Sequence, residues 1–441
     1  MWTINCYLFI NLLILIKCNN YNDYIVISVV PRNELEIDFI NNLTDSKQAE
    51  YWFSSATLNQ PVKLLLKSEN QQSVLIKLLE RKVIPNYVGK LISEHQRTVN
   101  EKNETINGDN LFRSYHRLYG IENYLRNLVT RFPEKVIVSS FGKSFEKRNL
   151  TLVRISESLI SHKNTTRRRN RSKPVIYIQG GIHAREWISP ATVIYLVNYF
   201  TQFSDSDPTI KRLLNYFEFW FVPIVNPDGY EYTHTHDRFW RKTRSVINEN
   251  DPCVGVDPNR NFDFYWGVVG ISDDPCSEIY PGPKPNSEPE VAAIVNLISP
   301  NAKRIKAFLD FHSYNQSWLI PFGFSSQKSK DFADLERIAK KSTNALALIH
   351  GTKYSVGNKA KLLYSASGIA DDWAKGVAKI KYSFTIELSD KGEFGFLLPP
   401  DRIIPVGQEI TEAIKVFSLE LMKEINQRRV NRKKIKNNQH H

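Results

Sequence analysis

After residue 16 the chain has no segment long and apolar enough to anchor it in a membrane. Glycine (19) and proline (21) are sparse in 441 residues, and 41% of the residues are hydrophobic, which excludes a fibrous or disordered chain. Cysteine is scarcer still, at four. Cys6 and Cys18 fall in an N-terminal segment that reads as removable, leaving Cys253 and Cys276, each preceded by Asp-Pro. One disulfide in an oxidising compartment is the expectation. Acidic residues are outnumbered 46 to 59, giving a formal charge of +13. Much of the excess sits in two short runs, Arg167 to Arg171 and Arg428 to Lys434. Such runs are usually solvated loops or tails; the alternative is an anionic surface or glycan as partner, and nothing specifies a nucleic acid.

Tyr7 to Ile16 is apolar apart from Asn11 and has the length of a signal-peptide core. No Lys or Arg precedes it and no clean small-residue cleavage site follows, so a buried strand competes with that reading. We expect a signal peptide over residues 1–19 and a secreted, extracellular protein. Sequons at Asn42, Asn103, Asn149, Asn164, Asn170 and Asn315 agree with export.

At this length more than one folding unit is expected. From Tyr24 to Glu101 the pattern predicts a small α+β unit: strands over Tyr24–Val30 and Pro61–Leu66, helices over Glu34–Leu43 and Gln71–Arg81. Residues 102–112 read as a polar linker. Strands and helices then alternate. Helices are predicted over Tyr115–Phe132, Pro190–Phe200 and Gln408–Ile425. Strands are predicted over Val136–Ser140, Leu150–Arg154, Val175–Gln179, Phe217–Ile224, Ile305–Phe311 and Ile380–Leu388. This predicts an α/β catalytic domain over 113–426 with a mixed, largely buried sheet, followed by a basic tail over 427–441. Chemistry in such sheets sits beyond the carboxyl ends of strands.

At one such end, Val175–Gln179 runs into Gly180-Gly-Ile-His-Ala-Arg-Glu-Trp187. His183 and Glu186, three apart, can aim at one ion, and catalytic zinc needs three protein ligands and an open position. A third candidate is His312, in Leu309-Asp-Phe-His-Ser-Tyr314 after another strand. Each His alone reads equally well as a hydrogen-bonded structural residue.

Five motifs occur in order: Gly181-Ile-His-Ala-Arg-Glu-Trp-Ile-Ser189, Phe239-Trp-Arg-Lys-Thr-Arg-Ser245, Cys253-Val-Gly-Val-Asp-Pro-Asn-Arg-Asn261, Phe311-His-Ser-Tyr314 and Lys381-Tyr-Ser-Phe-Thr-Ile-Glu-Leu388. Together they closely resemble the zinc carboxypeptidases of the pancreatic A/B type, over about three-quarters of the chain. The unit over 20–101 is similar to the family's inhibitory, ferredoxin-like propeptide, through Val29-Val-Pro31 and the strand–helix rhythm.

The resemblance implies that His183, Glu186 and His312 bind one zinc ion, with Asp257 behind the first His. It implies Glu387 as general base and Arg244 as the arginine facing the oxyanion. Asn259 and Arg260 would grip the substrate's terminal carboxylate, Tyr364 would close over it, and Arg185 and Arg241 would line subsites. Cys253 and Cys276 match the family's disulfide. The substrate is then the C-terminus of a peptide or protein, the enzyme a monomer, and an activating protease cuts after Arg97, Lys102 or Arg113. Asp371, in Ser367-Gly-Ile-Ala-Asp-Asp-Trp373, falls at the base of the specificity pocket and implies a preference for C-terminal Lys or Arg; as a helix cap it would carry no such meaning. Lys359 aligns with a pocket-wall position that is small or apolar in relatives. Turned inward it would neutralise Asp371; turned outward it would snorkel to solvent. The alternatives are an A-type preference for apolar or aromatic ends, an inactive peptide-binding relative, which should lack Glu387 or a ligand, and an anion-binding protein.

Overall fold

The computed structural model describes residues 25–46, 48–51, 58–59, 61–83, 85–90, 110–159, 173–246 and 252–438. The apolar N-terminal stretch, Arg167 to Arg171, Arg97 and Lys102 lie outside them. Among the described residues no helix is long and apolar enough to cross a membrane. The chain divides into two compact units, Met1–Glu101 and Lys102–His441.

In the first unit, strands β1 (Ile25–Val29), β2 (Glu50–Tyr51), β3 (Val62–Leu66) and β4 (Asn86–Lys90) form an antiparallel sheet in the order β2-β3-β1-β4. Helices α1 (Glu34–Asp45) and α2 (Ser68–Glu80) supply the second layer. The start of α1 is fixed by Asn33, whose side chain accepts from Glu36 N, while the Glu36 carboxylate returns to Arg32 N. Ile25, Ile27, Val29, Ile40, Leu43, Leu64, Val74 and Leu78 close a core of this unit's own. This is the expected open-faced α+β arrangement. The edge strands β2 and β4 carry too little apolar periodicity to be read from sequence.

Among the described residues the second unit has eight strands: β5 (Val136–Lys143), β6 (Asn149–Ile155), β7 (Val175–Gln179), β8 (Glu218–Val222), β9 (Ile305–Ser313), β10 (Ser317–Ile320), β11 (Ser355–Asn358) and β12 (Tyr382–Leu388). They form one mixed sheet in the order β11-β10-β12-β9-β7-β8-β6-β5. The four central strands β12, β9, β7 and β8 are mutually parallel, so their carboxyl ends share one edge. Every residue of β7, β8 and β12 is buried, as continuous apolar runs require when helices cover both faces. The helices are α3 (Leu118–Arg131), α4 (Ile188–Gln202), α5 (Pro208–Tyr216), α6 (Pro227–Thr235), α7 (Pro289–Ile298), α8 (Phe332–His350), α9 (Lys359–Leu362), α10 (Ala370–Gly376) and α11 (Ile403–Asn438). In α3 the buried residues Ile121, Tyr124, Leu125 and Leu128 form a single stripe against the core.

The C-terminus differs from the expectation. α11 does not stop near Ile425 but continues to Asn438. No Gly or Pro follows Gly407 within it, and Arg and Lys are good helix formers, so the basic run extends the helix.

Candidate metal centre

The centre is assembled where β7, β9 and β12 end. After Gln179 the chain must turn sharply, and Gly181 does so at φ +63°, where a side chain would also press on the Ile224 backbone at 3.2 Å. Ser189, in the first turn of α4, staples this turn to the neighbouring strand: its Oγ accepts from Gly181 N (3.0 Å) and donates to Phe311 O (2.6 Å). His183 is thereby held opposite His312, the residue after Phe311.

His183 Nδ1 lies 2.7 Å from Glu186 Oε1, His312 Nδ1 lies 3.1 Å from Glu186 Oε2, and the two Nδ1 atoms are 3.2 Å apart. All three side chains are buried. Both histidines have their far nitrogen against a carboxylate, His183 Nε2 on Asp257 Oδ1 (3.2 Å) and His312 Nε2 on Asp310 Oδ2 (3.0 Å). The near nitrogens are therefore free to face inward as lone pairs beside a carboxylate, a repulsive set unless a cation sits between them. Two imidazoles and one carboxylate are a donor set that suits catalytic zinc.

Asp257 is fully engaged. Its Oδ1 also accepts from Asn259 N (2.9 Å), and its Oδ2 accepts from Arg241 Nε (3.1 Å) and a terminal Arg241 nitrogen (2.9 Å). Burial would push Asp257 up; Arg241 and Arg260 overcome it and hold the carboxyl well below its ordinary value. Burial would likewise lower Arg241, and Asp257 foremost raises it above the ordinary guanidinium range.

Glu387 stands opposite His312 in the β12–β9 register and is buried, with Oε2 lacking a hydrogen-bond partner among the described residues. Burial pushes its carboxyl up to about 8, with His312 opposing and Glu186 adding to the rise. Asn259 Oδ1 accepts from Ala370 N (2.9 Å), which fixes the amide and leaves its NH2 for other partners. Arg260 is buried, donates to Gly270 O and Asn259 O (both 2.8 Å), and lies 5.8 Å from the half-buried Tyr364 ring.

The two arginines of the Phe239–Ser245 motif are placed differently. The Arg244 guanidinium is stacked on Tyr232 (3.7 Å) and Trp240 (4.4 Å). The arginine at the cluster is Arg241, 3.8 Å from Glu186 Oε1. The residues share one short motif, and only the path of the chain decides which points inward. Arg185 donates to Phe239 O and Glu278 (both 3.2 Å) and lies 4.6 Å over Phe396.

Lys359 turns inward. Its Nζ donates to Asp371 Oδ1 (2.5 Å) and Thr385 Oγ1 (2.6 Å), and all three residues are buried. Asp310 and Gln179 are site residues that motif matching overlooked. The available signal was period 2 along a strand, which puts Asp310 on the same face as His312. Cys253 and Cys276 are disulfide-bonded.

A zinc carboxypeptidase family model matches residues 121–413. The chain belongs to the zinc carboxypeptidase family. It is 45% identical to carboxypeptidase B of Astacus astacus over 305 residues, 69% of this chain and 96% of that protein. It is 36% identical to carboxypeptidase A2 of Rattus norvegicus over 399 residues, 89% of this chain and 92% of the relative. The crystal structure of thrombin activatable fibrinolysis inhibitor superposes with a TM-score of 0.84 at 32% identity, covering 91% of this chain and all of the other. The protein is a metallocarboxypeptidase; the matches to carboxypeptidase A2 and to thrombin activatable fibrinolysis inhibitor cover more residues than the second unit holds and so extend into the first.

Proposed function

We propose that this carboxypeptidase hydrolyses the last peptide bond of its substrates with Glu387 as general base, and that it prefers C-terminal Lys or Arg only modestly. Zinc bound by His183, Glu186 and His312 would lower the pKa of a water and polarise the scissile carbonyl. Glu387, buried and with a free oxygen, accepts the water proton and returns it to the leaving amine. Arg241, rather than Arg244, offers a fixed cation to the oxyanion; its position beside Glu186 supports the assignment. Asn259 NH2 and Arg260 hold the terminal carboxylate, and Tyr364, beside Arg260, covers it.

The observation that carries the specificity is the state of Asp371. α10 begins at Ala370, whose N–H is bound by Asn259, so Asp371 is one residue from the carboxylate grip. Its Oδ1 is taken by Lys359, while its buried Oδ2 has no hydrogen-bond partner among the described residues. An unsatisfied buried anionic oxygen is costly, and a basic substrate side chain would satisfy it. Lys359 has already supplied the counter-charge, so the gain is expected to be about tenfold or less in kcat/KM, from roughly one hydrogen bond to a charged group. The same lysine favours a second reading, tolerance of apolar ends, and the relatives carry both A and B names. Acyl-dipeptides ending in Arg, Lys, Phe and Glu decide between them: Phe cleaved faster than Arg overturns the basic preference.

The first unit, similar to the family's propeptide, is proposed to keep the secreted protein latent until the linker is cut. The disulfide supports export. Of the three candidate cleavage residues, Arg113 is described and exposed. Limited trypsin treatment should raise activity; unchanged activity after a completed cut refutes latency.

A further inference from the structure

We propose that Asp310, oriented by Gln179 and Tyr177, is a positioning residue that fixes the tautomer of His312 and thereby raises the affinity of the centre for zinc. This rests on reading His183, Glu186 and His312 as the zinc ligands.

The sheet puts the four residues in one buried row. In the parallel β7–β9 pair Tyr177 registers with Phe308 and Gln179 with Asp310. Residues two apart on a strand share a face, so Tyr177 and Gln179 on one strand meet Phe308, Asp310 and His312 on the other. Tyr177, Gln179 and Asp310 are wholly excluded from solvent, and the Tyr177 ring stacks on Phe308 with centroids 5.1 Å apart.

The hydrogen bonds then have one consistent direction. Tyr177 Oη donates to Gln179 Oε1 (2.9 Å), and Gln179 Nε2 donates to Asp310 Oδ1 (2.9 Å). Reversing the amide would set its oxygen against a carboxylate oxygen, two acceptors with no proton between them. An ionised carboxylate only accepts, so at Asp310 Oδ2 the proton must come from His312 Nε2, 3.0 Å away. His312 then carries its proton on Nε2 and presents a bare Nδ1 to Glu186 and His183. The Asn259 NH2, 3.3 Å from the same Nε2, is another donor at longer range and does not compete.

Asp310 also differs from the carboxylate behind the other ligand. Asp257 shares its charge with Arg241 and Arg260, whereas the only ion pair of Asp310 among the described residues is with His312. Its charge therefore acts on the imidazole undiluted, increasing the basicity of Nδ1.

The test is zinc affinity of the full chain, measured by competition with a chromogenic chelator, together with the visible spectrum of the Co2+-substituted protein. Asp310→Ser should weaken zinc binding about 10–100-fold and alter the cobalt spectrum. Asp310→Asn keeps an acceptor oxygen but loses the charge, and should bind zinc with an affinity between those of Asp310→Ser and the wild type. Gln179→Leu, which leaves Asp310 unsteered, should fall between. A merely structural role would lower the melting temperature of the metal-free protein without moving these readouts. Zinc affinity of Asp310→Ser within twofold of wild type overturns the proposal. Should Asp310→Ser fail to fold, Gln179→Leu decides: weaker zinc supports the proposal, and affinity within twofold overturns it. A wild-type protein that takes up no zinc overturns the metal-site reading and this inference with it.

Discussion

Asp257 and Asp371 are both aspartates without solvent exposure, both paired with a buried cation, yet they are built differently. Asp257 has both oxygens doubly engaged, by His183, Asn259 N and the Arg241 fork. Asp371 has one oxygen on Lys359 and the other unpartnered. The first arrangement is closed and rigid, as the backing of a metal ligand must be. The second leaves one oxygen without a hydrogen-bond partner among the described residues, the one that the proposed basic substrate would meet. Glu290 is the limiting case: its Oε1 accepts from Phe145 N (3.0 Å), its Oε2 has no partner, and burial, with Glu288 and Asp228 nearby, pushes its carboxyl up to about 8. A buried carboxyl can thus be saturated on both oxygens, paired on one, or pushed up by burial where no cation meets it, and the neighbouring cations decide which.

The largest effect is expected where the chemistry is concentrated. Glu387→Gln should lower kcat by about 10²–10⁴-fold while metal analysis still finds one zinc per chain; near wild-type turnover would sink the general-base assignment. Next comes the contrast between two arginines of one motif. Arg241→Ala should cost about 10²–10³-fold in kcat/KM. Arg244→Ala should stay within about tenfold, its loss appearing mainly as lower thermal stability of about 1–2 kcal/mol from the aromatic faces it leaves. The reverse order would restore Arg244 to the oxyanion.

At the pocket, Lys359→Gly frees both oxygens of Asp371 and should raise the Arg-over-Phe ratio of kcat/KM by about tenfold, whereas Asp371→Ile should invert it. An unchanged ratio in both would remove these residues from specificity. Glu290→Gln should leave kinetics unchanged and alter only stability. Because the folded-state value lies above the unfolded one, this carboxyl makes the wild type lose stability as pH rises from about 4.5 to 8. The Gln variant lacks that slope and should be about 1–3 kcal/mol more stable at pH 7, the difference vanishing near pH 4. Chemical denaturation at the two pH values measures it, and a variant less stable than wild type at pH 7 would contradict the assignment.

The β-strands that build the centre were legible because burial on both faces leaves a continuous apolar signature, as in Val175–Gln179. So was the meeting of His183, Glu186 and His312, since the first two are separated by a fixed local turn and His312 follows a readable strand. Four other features were not. The short edge strands β2 and β4 have little periodicity, and the basic run of α11 looked like a solvated tail although its residues favour helix. Arg241 and Arg244 are equivalent as letters, and the aromatic faces of Tyr232 and Trp240 claim one of them. Lys359 could have pointed either way.

The sequence by itself determined the donor set, the sheet that carries it and the family to which the chain belongs, because these depend on local spacing and on hydrophobic runs that span few residues. Only the tertiary structure decided which arginine faces the ligands, that Lys359 is paired with Asp371, and that Asp310 stands behind His312 at the end of a row from Tyr177. Those choices join side chains from separate strands and loops, where charge, burial and hydrogen-bond direction must be satisfied together in space.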